Sequence, residues 1–185
     1  MTSDIQPLST PHYHPATVIL HWLMVLLLLA TFATIQLHEV LPRGTDLRTL
    51  TKSAHFMLGV LALALVVVRI LTRLGTPQPV PAEGPIWMQR AAQAGHFALY
   101  AWMVVLPILG WASLSAAGKP IPFFGLELPP LLGLDKPLAR DLKKVHEAVG
   151  EFGYWLIGLH AAAALVHHFV LKDGLMKRMT LHSRD

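Results

Sequence analysis

The sequence predicts an all-α integral membrane protein, a four-helix bundle that forms a single domain over residues 1–185. Three observations support this fold class: 54% of the 185 residues are hydrophobic, only 14% are charged, and four long stretches are almost free of charge. A soluble domain carries about 25% charged residues, and a disordered chain combines low hydrophobicity with high charge. Both of those classes are therefore excluded.

Each of the four stretches is long enough to cross the hydrocarbon layer, which takes about 20 mostly apolar residues as a helix. We expect membrane spans near residues 16–37, 53–74, 94–114 and 148–171. The first stretch is too long for the apolar part of a signal peptide and has no basic segment before it, so we expect it to remain as a helix. Pro107 predicts a kink in the third span, which neighbouring helices tolerate.

Proline and glycine mark the loops between the spans. Residues 41–44 end the first helix, a Pro-rich loop at 76–85 follows the second, and the loop at 118–137 is apolar enough to lie on the membrane surface. An even number of spans puts both termini on one side, here named side A, together with the loop at 76–85. The other two loops lie on the opposite side, side B.

Lysine and arginine are divided almost equally between the two sides. Side A carries seven: Arg69, Arg73, Arg90, Lys172, Lys177, Arg178 and Arg184. Side B carries eight: Arg43, Arg48, Lys52, Lys119, Lys136, Arg140, Lys143 and Lys144. The positive-inside rule therefore does not orient the chain, and the basic loop after the first span slightly favours side B as cytoplasmic.

Histidine is unusually frequent: its 11 residues equal Asp and Glu combined, and Cys is absent. The lack of Cys excludes disulfides, thiolate chemistry and Cys-ligated iron–sulfur clusters. Histidines inside a span usually face the bundle interior. His96 opens the third span on side A. Four histidines are expected to lie outside the spans in solvent: His12, His14, His38 and His182.

The fourth span carries two histidines on one face. His146 and His160 are 14 residues apart, which puts them within about 40° of each other and about 21 Å apart along the axis. His55 can oppose His146 near side B, and His21 can oppose His160 nearer side A. Two histidine pairs at two depths are typical of axial ligands for two b-type haems in the core of the bundle.

The depth of the second pair leaves an alternative open. His160 lies near the centre of its uncharged run and His21 about six residues from the centre of its own, a mismatch of roughly 10 Å. His167 is about 20° from the face of His160 and matches the depth of His21 better. A proton relay is a second interpretation of the histidines, because imidazole titrates near neutral pH.

Glycines accompany the ligand candidates. Gly59, Gly150 and Gly153 fall on the faces of His55 and His146, where a missing side chain lets the flat macrocycle approach the backbone. The competing interpretation is that they serve close helix packing, as small residues do in any membrane bundle.

The motifs resemble those of a known family. They are HW at His21-Trp22, H-x3-G…VVR from His55 to Arg69, GH…Y…LP-x2-G from Gly95 to Gly110, and HE-x5-GY-x2-IGLHAAAALVHHF-x3-KD from His146 to Asp173. With them the chain resembles the bacterial cytochrome b561 family of small di-haem proteins, most closely the members that pass electrons from superoxide to ubiquinone. The resemblance covers nearly the whole chain.

The resemblance implies a ligand set and an orientation. His21 and His160 would hold one haem b, and His55 and His146 the other, which selects His160 over His167. The chain would lie in the bacterial inner (plasma) membrane with both termini cytoplasmic and side B periplasmic, although the Lys and Arg count mildly opposes this. Superoxide and ubiquinone would be its substrates within the lipid bilayer.

Superoxide is an anion, so we expect cations near the side B haem to raise its local concentration. Lys52, Arg140, Lys143 and Lys144 are the candidates for this steering role, because they lie close in sequence to the side B histidines. Contacts with lipid headgroups or with haem propionates are the alternative for each of them.

Quinone reduction on side A needs protons and carbonyl ligands. His167 and His168 are the candidate proton donors, and Arg69 and Arg73 are candidates to bind quinone carbonyls or propionates. Snorkelling to the interface is the alternative for both arginines and is favoured for Arg73.

Two other functions compete with this one. The first is an electron-transfer subunit that relays electrons from a dehydrogenase or hydrogenase to quinone. The chain has no additional helix or long soluble extension for docking, which favours independent action without an obligate protein partner. The second is a histidine-lined transporter or proton channel without haem.

Overall fold

The computed structural model describes residues 13–79 and 84–181, and four long helices dominate that part of the chain. They are α1 (Pro15–Val40), α2 (Asp46–Gly75), α3 (Ile86–Ala116) and α4 (Lys136–Val166). Each is long and apolar enough to cross a membrane. The predicted all-α membrane fold is confirmed. His12, His182 and Arg184 lie outside the described residues.

The helices extend beyond the predicted spans, most of all on side B. α2 begins at Asp46 and α4 at Lys136, whereas the predicted spans begin at 53 and 148. Thr45 caps α2 by accepting from the Arg48 amide at 3.3 Å, and Asp135 caps α4 by accepting from the Leu138 amide at 3.0 Å. The apolar stretch of a sequence indicates only the part of a helix that lies in hydrocarbon. The capped polar turns extend both helices beyond that part, into the membrane interface.

The bundle consists of two helical hairpins. α1 packs along α2, α3 packs along α4, and α2 joins the hairpins through α3. Met24, Val66, Trp102 and Met103 form the buried centre. Large apolar side chains cover the outer faces, among them Trp155, as expected where the solvent is lipid.

Trp102 fixes α3 against α4. Its indole nitrogen donates to the Val149 carbonyl at 2.8 Å, and its ring stacks on Phe32 with centroids 6.2 Å apart. The ring also occupies the space that a side chain at Gly153 would need. Gly153 therefore serves helix packing, which is the competing interpretation of this glycine.

The loop between α3 and α4 contains a small hairpin that the sequence did not predict. β1 (Pro122–Phe123) pairs antiparallel with β2 (Leu126–Glu127), and β1 packs against α2. The turn uses positive φ angles at Phe124 and Gly125. Two-residue strands are too short to show the alternation that predicts a strand.

Two short turns follow the end of α4 on side A. A π-helical turn (His167–Leu171) follows α4 directly, and Lys172 then adopts a left-handed conformation. A 3₁₀ turn (Leu175–Met179) comes next. The Trp22 indole donates to the Met179 carbonyl at 3.0 Å, which ties this segment back to α1.

Candidate functional site

Two of the predicted histidines meet near side B. His55 of α2 and His146 of α4 have ring centroids 6.2 Å apart and ring planes 84° apart. Both helices begin on side B, and the two histidines lie nine and ten residues after the starts at Asp46 and Lys136. The two side chains therefore reach the same depth, and we name them the B pair.

Backbone carbonyls hold the B pair. His55 Nδ1 lies 3.1 Å from the Thr31 carbonyl, and His146 Nδ1 lies 3.0 Å from the Leu106 carbonyl. A carbonyl only accepts, so each Nδ1 carries the proton and donates. This tautomer leaves both Nε2 atoms unprotonated, which is the form in which imidazole binds a metal.

Gly110 makes room for one of these hydrogen bonds. A Cβ at this glycine would lie 3.1 Å from Cε1 and 3.2 Å from Nδ1 of His146. The His146 ring can reach the Leu106 carbonyl because the position one turn further along α3 has no side chain. The sequence indicated Gly59, Gly150 and Gly153 as the glycines on the ligand faces. Gly110 is part of a sequence motif, but its role in making room for the His146 ring was not predicted.

The other two histidines meet nearer side A and are named the A pair. His21 of α1 and His160 of α4 have ring centroids 6.3 Å apart and ring planes 65° apart. His21 lies six residues after the start of α1 and His160 six residues before the end of α4. The predicted depth mismatch was wrong, because the uncharged run is not centred on α4.

His167, the alternative partner for His21, is engaged elsewhere. Its Nδ1 lies 2.5 Å from Oδ2 of Asp173, just beyond the π-helical turn. The neighbouring His168 is exposed and packs against the ring of Phe169. The structure thus places His160, and not His167, beside His21.

Side chains, rather than carbonyls, surround the A pair. Nη2 of Arg69 lies 3.2 Å from Nδ1 of His21, and its guanidinium carbon lies 5.6 Å from the centre of the Tyr100 ring. The ring of His96 lies 5.5 Å from that of His160. The sequence assigned His96 no role, although Gln93, His96 and Tyr100 form a polar stripe at helical spacing in an otherwise apolar segment.

Both pairs have the spacing that an iron bound between two imidazoles requires. Metal–nitrogen bonds of about 2 Å on either side of one ion put the ring centroids about 6 Å apart. The observed separations are 6.2 and 6.3 Å. The residues present therefore fit a b-type haem at each pair, whose two imidazoles would hold it.

The cations predicted to steer an anion are not equivalent. Lys143 pairs with Glu147 at 2.6 Å, and the more exposed Lys144 lies 3.9 Å from Asp141. Lys52 lies over the Phe56 ring at 5.9 Å. Lys119, Lys143 and Arg48 lie close enough to repel the charge of Lys52, whereas Arg140 is exposed on α4. Sequence reasoning missed Lys119, because the hairpin loop brings it close only in the folded chain.

Two histidines predicted to be solvated have structural contacts. His14 is exposed and caps α1 by accepting from the Ala16 amide at 3.3 Å. His38 lies in the last turn of α1, where its Nδ1 is 2.9 Å from the Arg48 carbonyl. The prediction was therefore wrong for His38, which links α1 to α2.

Comparison with known proteins identifies one family and relatives whose names agree with it. A family model described as prokaryotic cytochrome b561 matches residues 12–182. The chain is 38% identical over 162 residues to the probable superoxide oxidase CybB of Yersinia pestis, covering 86% of this chain and 90% of that protein. It is 32% identical over 164 residues to cytochrome b561 homolog 1 of Escherichia coli (strain K12), covering 88% and 93%.

Proposed function

This chain belongs to the prokaryotic cytochrome b561 family, and on that premise we propose that it oxidises superoxide on side B and reduces ubiquinone on side A. As a member of the family it is a membrane electron-transfer protein that binds b-type haem. The observation that carries the proposal is the meeting of four histidines in two pairs at ligand spacing. The relative named a probable superoxide oxidase supports the choice of substrate.

We assign one haem b to the B pair and one to the A pair. Bound haem supplies reversible one-electron oxidation and reduction. Both imidazoles of each pair would hold the same iron, so we expect electron transfer without oxygen binding. The protein's part is to hold the imidazoles at fixed depth and in a fixed tautomer.

The proposed reaction balances with two superoxide anions for each quinone. Each superoxide loses one electron and leaves as O₂. One ubiquinone takes up the two electrons and two protons and leaves as ubiquinol. The electrons enter on side B, and the protons come from the aqueous phase on side A.

The charges on side B suit an anionic substrate. Lys119, Lys143 and Arg48 each lie close enough to act electrostatically on Lys52, and a cluster of cations raises the on-rate of an anion. Glu147 offsets part of the charge of Lys143 at 2.6 Å. Lys52 is therefore the candidate with the largest steering effect, and Lys144, beside Asp141, has a smaller one.

His167 and Asp173 form a dyad suited to proton supply on side A. Burial opposes the charge of Asp173, but hydrogen bonds with the His167 ring and the Leu175 amide hold the pKa of this carboxyl below its usual value. The carboxylate keeps a proton on Nδ1 of His167. His168, exposed one residue further, is the second candidate donor.

We also propose that side B is periplasmic and that both termini are cytoplasmic. The four spans and the prokaryotic family support a place in the bacterial inner membrane. The nearly equal Lys and Arg counts do not oppose this orientation strongly. Superoxide does not cross a bilayer readily as an anion, so the B pair has to face the compartment where it is formed.

The proposal is tested by stopped-flow spectroscopy of the haem-loaded protein mixed with superoxide, with and without the short-tailed ubiquinone-1. We expect fast haem reduction and a reoxidation that depends on ubiquinone-1. Slow reduction by superoxide would instead favour the electron-transfer subunit that serves a dehydrogenase or hydrogenase.

The same experiment, repeated at different ionic strengths and with charge variants, tests electrostatic steering of superoxide. We expect Lys52→Gln to slow reduction by superoxide about two- to fivefold at low ionic strength, and this loss to shrink as salt screens the charge. Lys177→Gln on side A is the matched control and keeps the rate. A rate independent of salt in the unmodified protein would contradict electrostatic steering.

A further inference from the structure

One hydrogen-bond arrangement occurs twice between α1 and α2, once at the B pair and once nearer the loop on side B. At the B pair, Nδ1 of His55 on α2 donates to the Thr31 carbonyl of α1 at 3.1 Å. Nearer the loop, Nδ1 of His38 on α1 lies 2.9 Å from the Arg48 carbonyl of α2, and it donates because a carbonyl only accepts. We name the first bond the ligand link and the second the anchor link.

The two links belong to one register of the helices. Thr31 and His38 are seven residues apart on α1, and Arg48 and His55 are seven residues apart on α2. Seven residues make nearly two turns and about 10.5 Å along the axis, so each helix presents both of its members on one face. Since α1 and α2 run antiparallel, sliding one helix along the other would break both links at once.

A threonine accompanies each accepting carbonyl at the same spacing. The hydroxyl of Thr34 donates to the Thr31 carbonyl at 2.8 Å, and the hydroxyl of Thr51 donates to the Arg48 carbonyl at 2.9 Å. Such back-bonding bends a helix, which helps to turn the carbonyl towards the imidazole of the neighbouring helix. The anchor link therefore repeats the whole arrangement that holds His55.

Arg48 fixes the end of α1 a second time. Its Nη1 donates at 2.5 Å to the carbonyl of Leu41, the residue that caps the C-terminus of α1. A cation is stabilising at a helix C-terminus, where carbonyls lack partners within the helix. The last turn of α1 is thus tied to both the backbone and the side chain of one residue of α2.

We propose that His38 is a positioning residue for His55. Through the anchor link it holds the register in which the Thr31 carbonyl accepts from His55. The ligand link leaves little room for displacement, because its 3.1 Å is near the upper end of the usual range of about 2.7–3.2 Å. The inference rests on the proposed function only in taking His55 as a haem ligand, whose electron donation depends on the partner of its Nδ1.

The first test is a redox titration of the haem-loaded His38→Ala variant at about pH 8, where imidazole is uncharged. A weaker ligand link favours the reduced iron, so the potential of the haem at the B pair should rise and that of the haem at the A pair should stay. The variant His160→Ala, which should keep only the haem at the B pair, assigns the two potentials. An unchanged potential at the B pair, or equal shifts at both pairs, would overturn the proposal.

The second test observes the ligand link itself. Protein with ¹⁵N-labelled histidine is studied by NMR in the reduced, haem-loaded state, and solvent exchange of the His55 Nδ1 proton is measured. Loss of one hydrogen bond corresponds to an about three- to tenfold change, and we expect exchange to accelerate by this factor in His38→Ala. The same exchange rate in both proteins would contradict a role of His38 in holding His55.

A conservative variant separates positioning from general loss of packing. His38→Asn keeps a nitrogen donor bonded to Cγ, as Nδ1 is, and should restore most of the potential and of the slow exchange. His38→Gln places the donor one bond further out and should restore less. If His38→Asn behaved like His38→Ala, the anchor link would not be the cause of the change.

The matched control removes a different interhelical bond from the same end of α1. The Gln36 amide donates to the Tyr154 hydroxyl of α4 at 2.7 Å, two residues before His38, so Gln36→Ala should leave the potential and the exchange rate unchanged. Equal effects in Gln36→Ala and His38→Ala would overturn the proposal.

Neither measurement uses superoxide, which keeps the two proposals separable. Slow reduction by superoxide in a protein that shows these shifts would refute the superoxide activity and leave the role of His38 standing. Fast reduction by superoxide together with no shift in His38→Ala would overturn the role of His38 alone.

Discussion

The A pair and the B pair have nearly equal ring separations, 6.3 and 6.2 Å, but different surroundings. The B pair hydrogen-bonds to the carbonyls of Thr31 and Leu106. The A pair touches the side chains of Arg69 and His96. The B pair is therefore held by helix backbone. The A pair is surrounded by side chains, which can be substituted without altering the fold.

This difference affects the protons of the imidazoles. The B pair carries its protons on Nδ1, ready for ligation through Nε2. Arg69 can only donate, so Nδ1 of His21 is an acceptor and its proton lies on Nε2. For His21 to bind iron through Nε2, the proton has to move to Nδ1 and Arg69 has to turn away from it. The B pair is therefore the better preorganised of the two.

The same difference predicts a direction for electron flow. Donation from Nδ1 to a carbonyl makes an imidazole a stronger electron donor and favours the oxidised iron. A nearby guanidinium favours the reduced iron, since reduction removes one positive charge. We expect the A haem to have the higher potential, so that electrons move downhill from side B to side A.

Removing one histidine from each pair should have the largest effect. His55→Ala and His160→Ala should each lose about half of the bound haem, and the haem that remains should differ between the two variants in its midpoint potential. The haem-to-protein ratio and a redox titration measure both quantities. The exposed His168 supplies the control, because His168→Ala should keep the full haem content. An unchanged ratio in either pair variant would contradict the ligand assignment.

A methyl group at Gly110 should disturb the B pair alone. In Gly110→Ala the new Cβ would lie 3.1 Å from the His146 ring, so the ring has to shift by a few tenths of an ångström and its hydrogen bond to the Leu106 carbonyl is strained. We expect a loss of about 1–3 kcal/mol in stability from overpacking and a shift in the potential of the B haem. Thermal loss of the Soret absorbance and a redox titration follow the two effects. Gly75→Ala, where no atom lies within 4 Å, is the control.

Arg69 should set the potential of the A haem. Arg69→Leu removes the guanidinium beside His21, and we expect that potential to fall by about 40–80 mV, equivalent to about 1–2 kcal/mol for one electron. Arg69→Lys keeps a positive charge and should restore most of the value. Equal shifts at both haems would show that Arg69 acts through the fold as a whole rather than on the A pair.

The smallest effect is expected beyond the A pair, at Asp173. Its pKa lies below the ordinary value of 3.8 because hydrogen bonds favour the charged form in the folded state. The stabilisation is therefore complete above that value and is lost as the pH falls through the lower, folded pKa. Hydrogen exchange of residues 175–179 should accelerate over that acidic range, and Asp173→Asn should show fast exchange already at neutral pH. Unchanged exchange in Asp173→Asn would mean that this carboxylate does not hold the turn.

Much of this protein was predictable from local patterns. Apolar runs determine the four spans, since a bilayer requires about 20 apolar residues whatever the neighbours are. His146 and His160 lie near one face of α4 because helical periodicity depends only on their spacing in sequence. The helix ends were less accurate, because capping by Thr45 and Asp135 extends α2 and α4 past the apolar windows.

The rest depended on contacts between helices that are far apart in sequence. Only the packed bundle puts Gly110 beside His146, Trp102 against Gly153, and His96 beside His160. The spacing of residues along one helix does not show how far a second helix is shifted along the bundle axis. For this reason the spacing left both His160 and His167 open as partners of His21. The sequence by itself therefore determined the membrane fold and the ligand candidates; the tertiary structure decided which histidines meet, because this depends on how side chains from different helices fill a shared space.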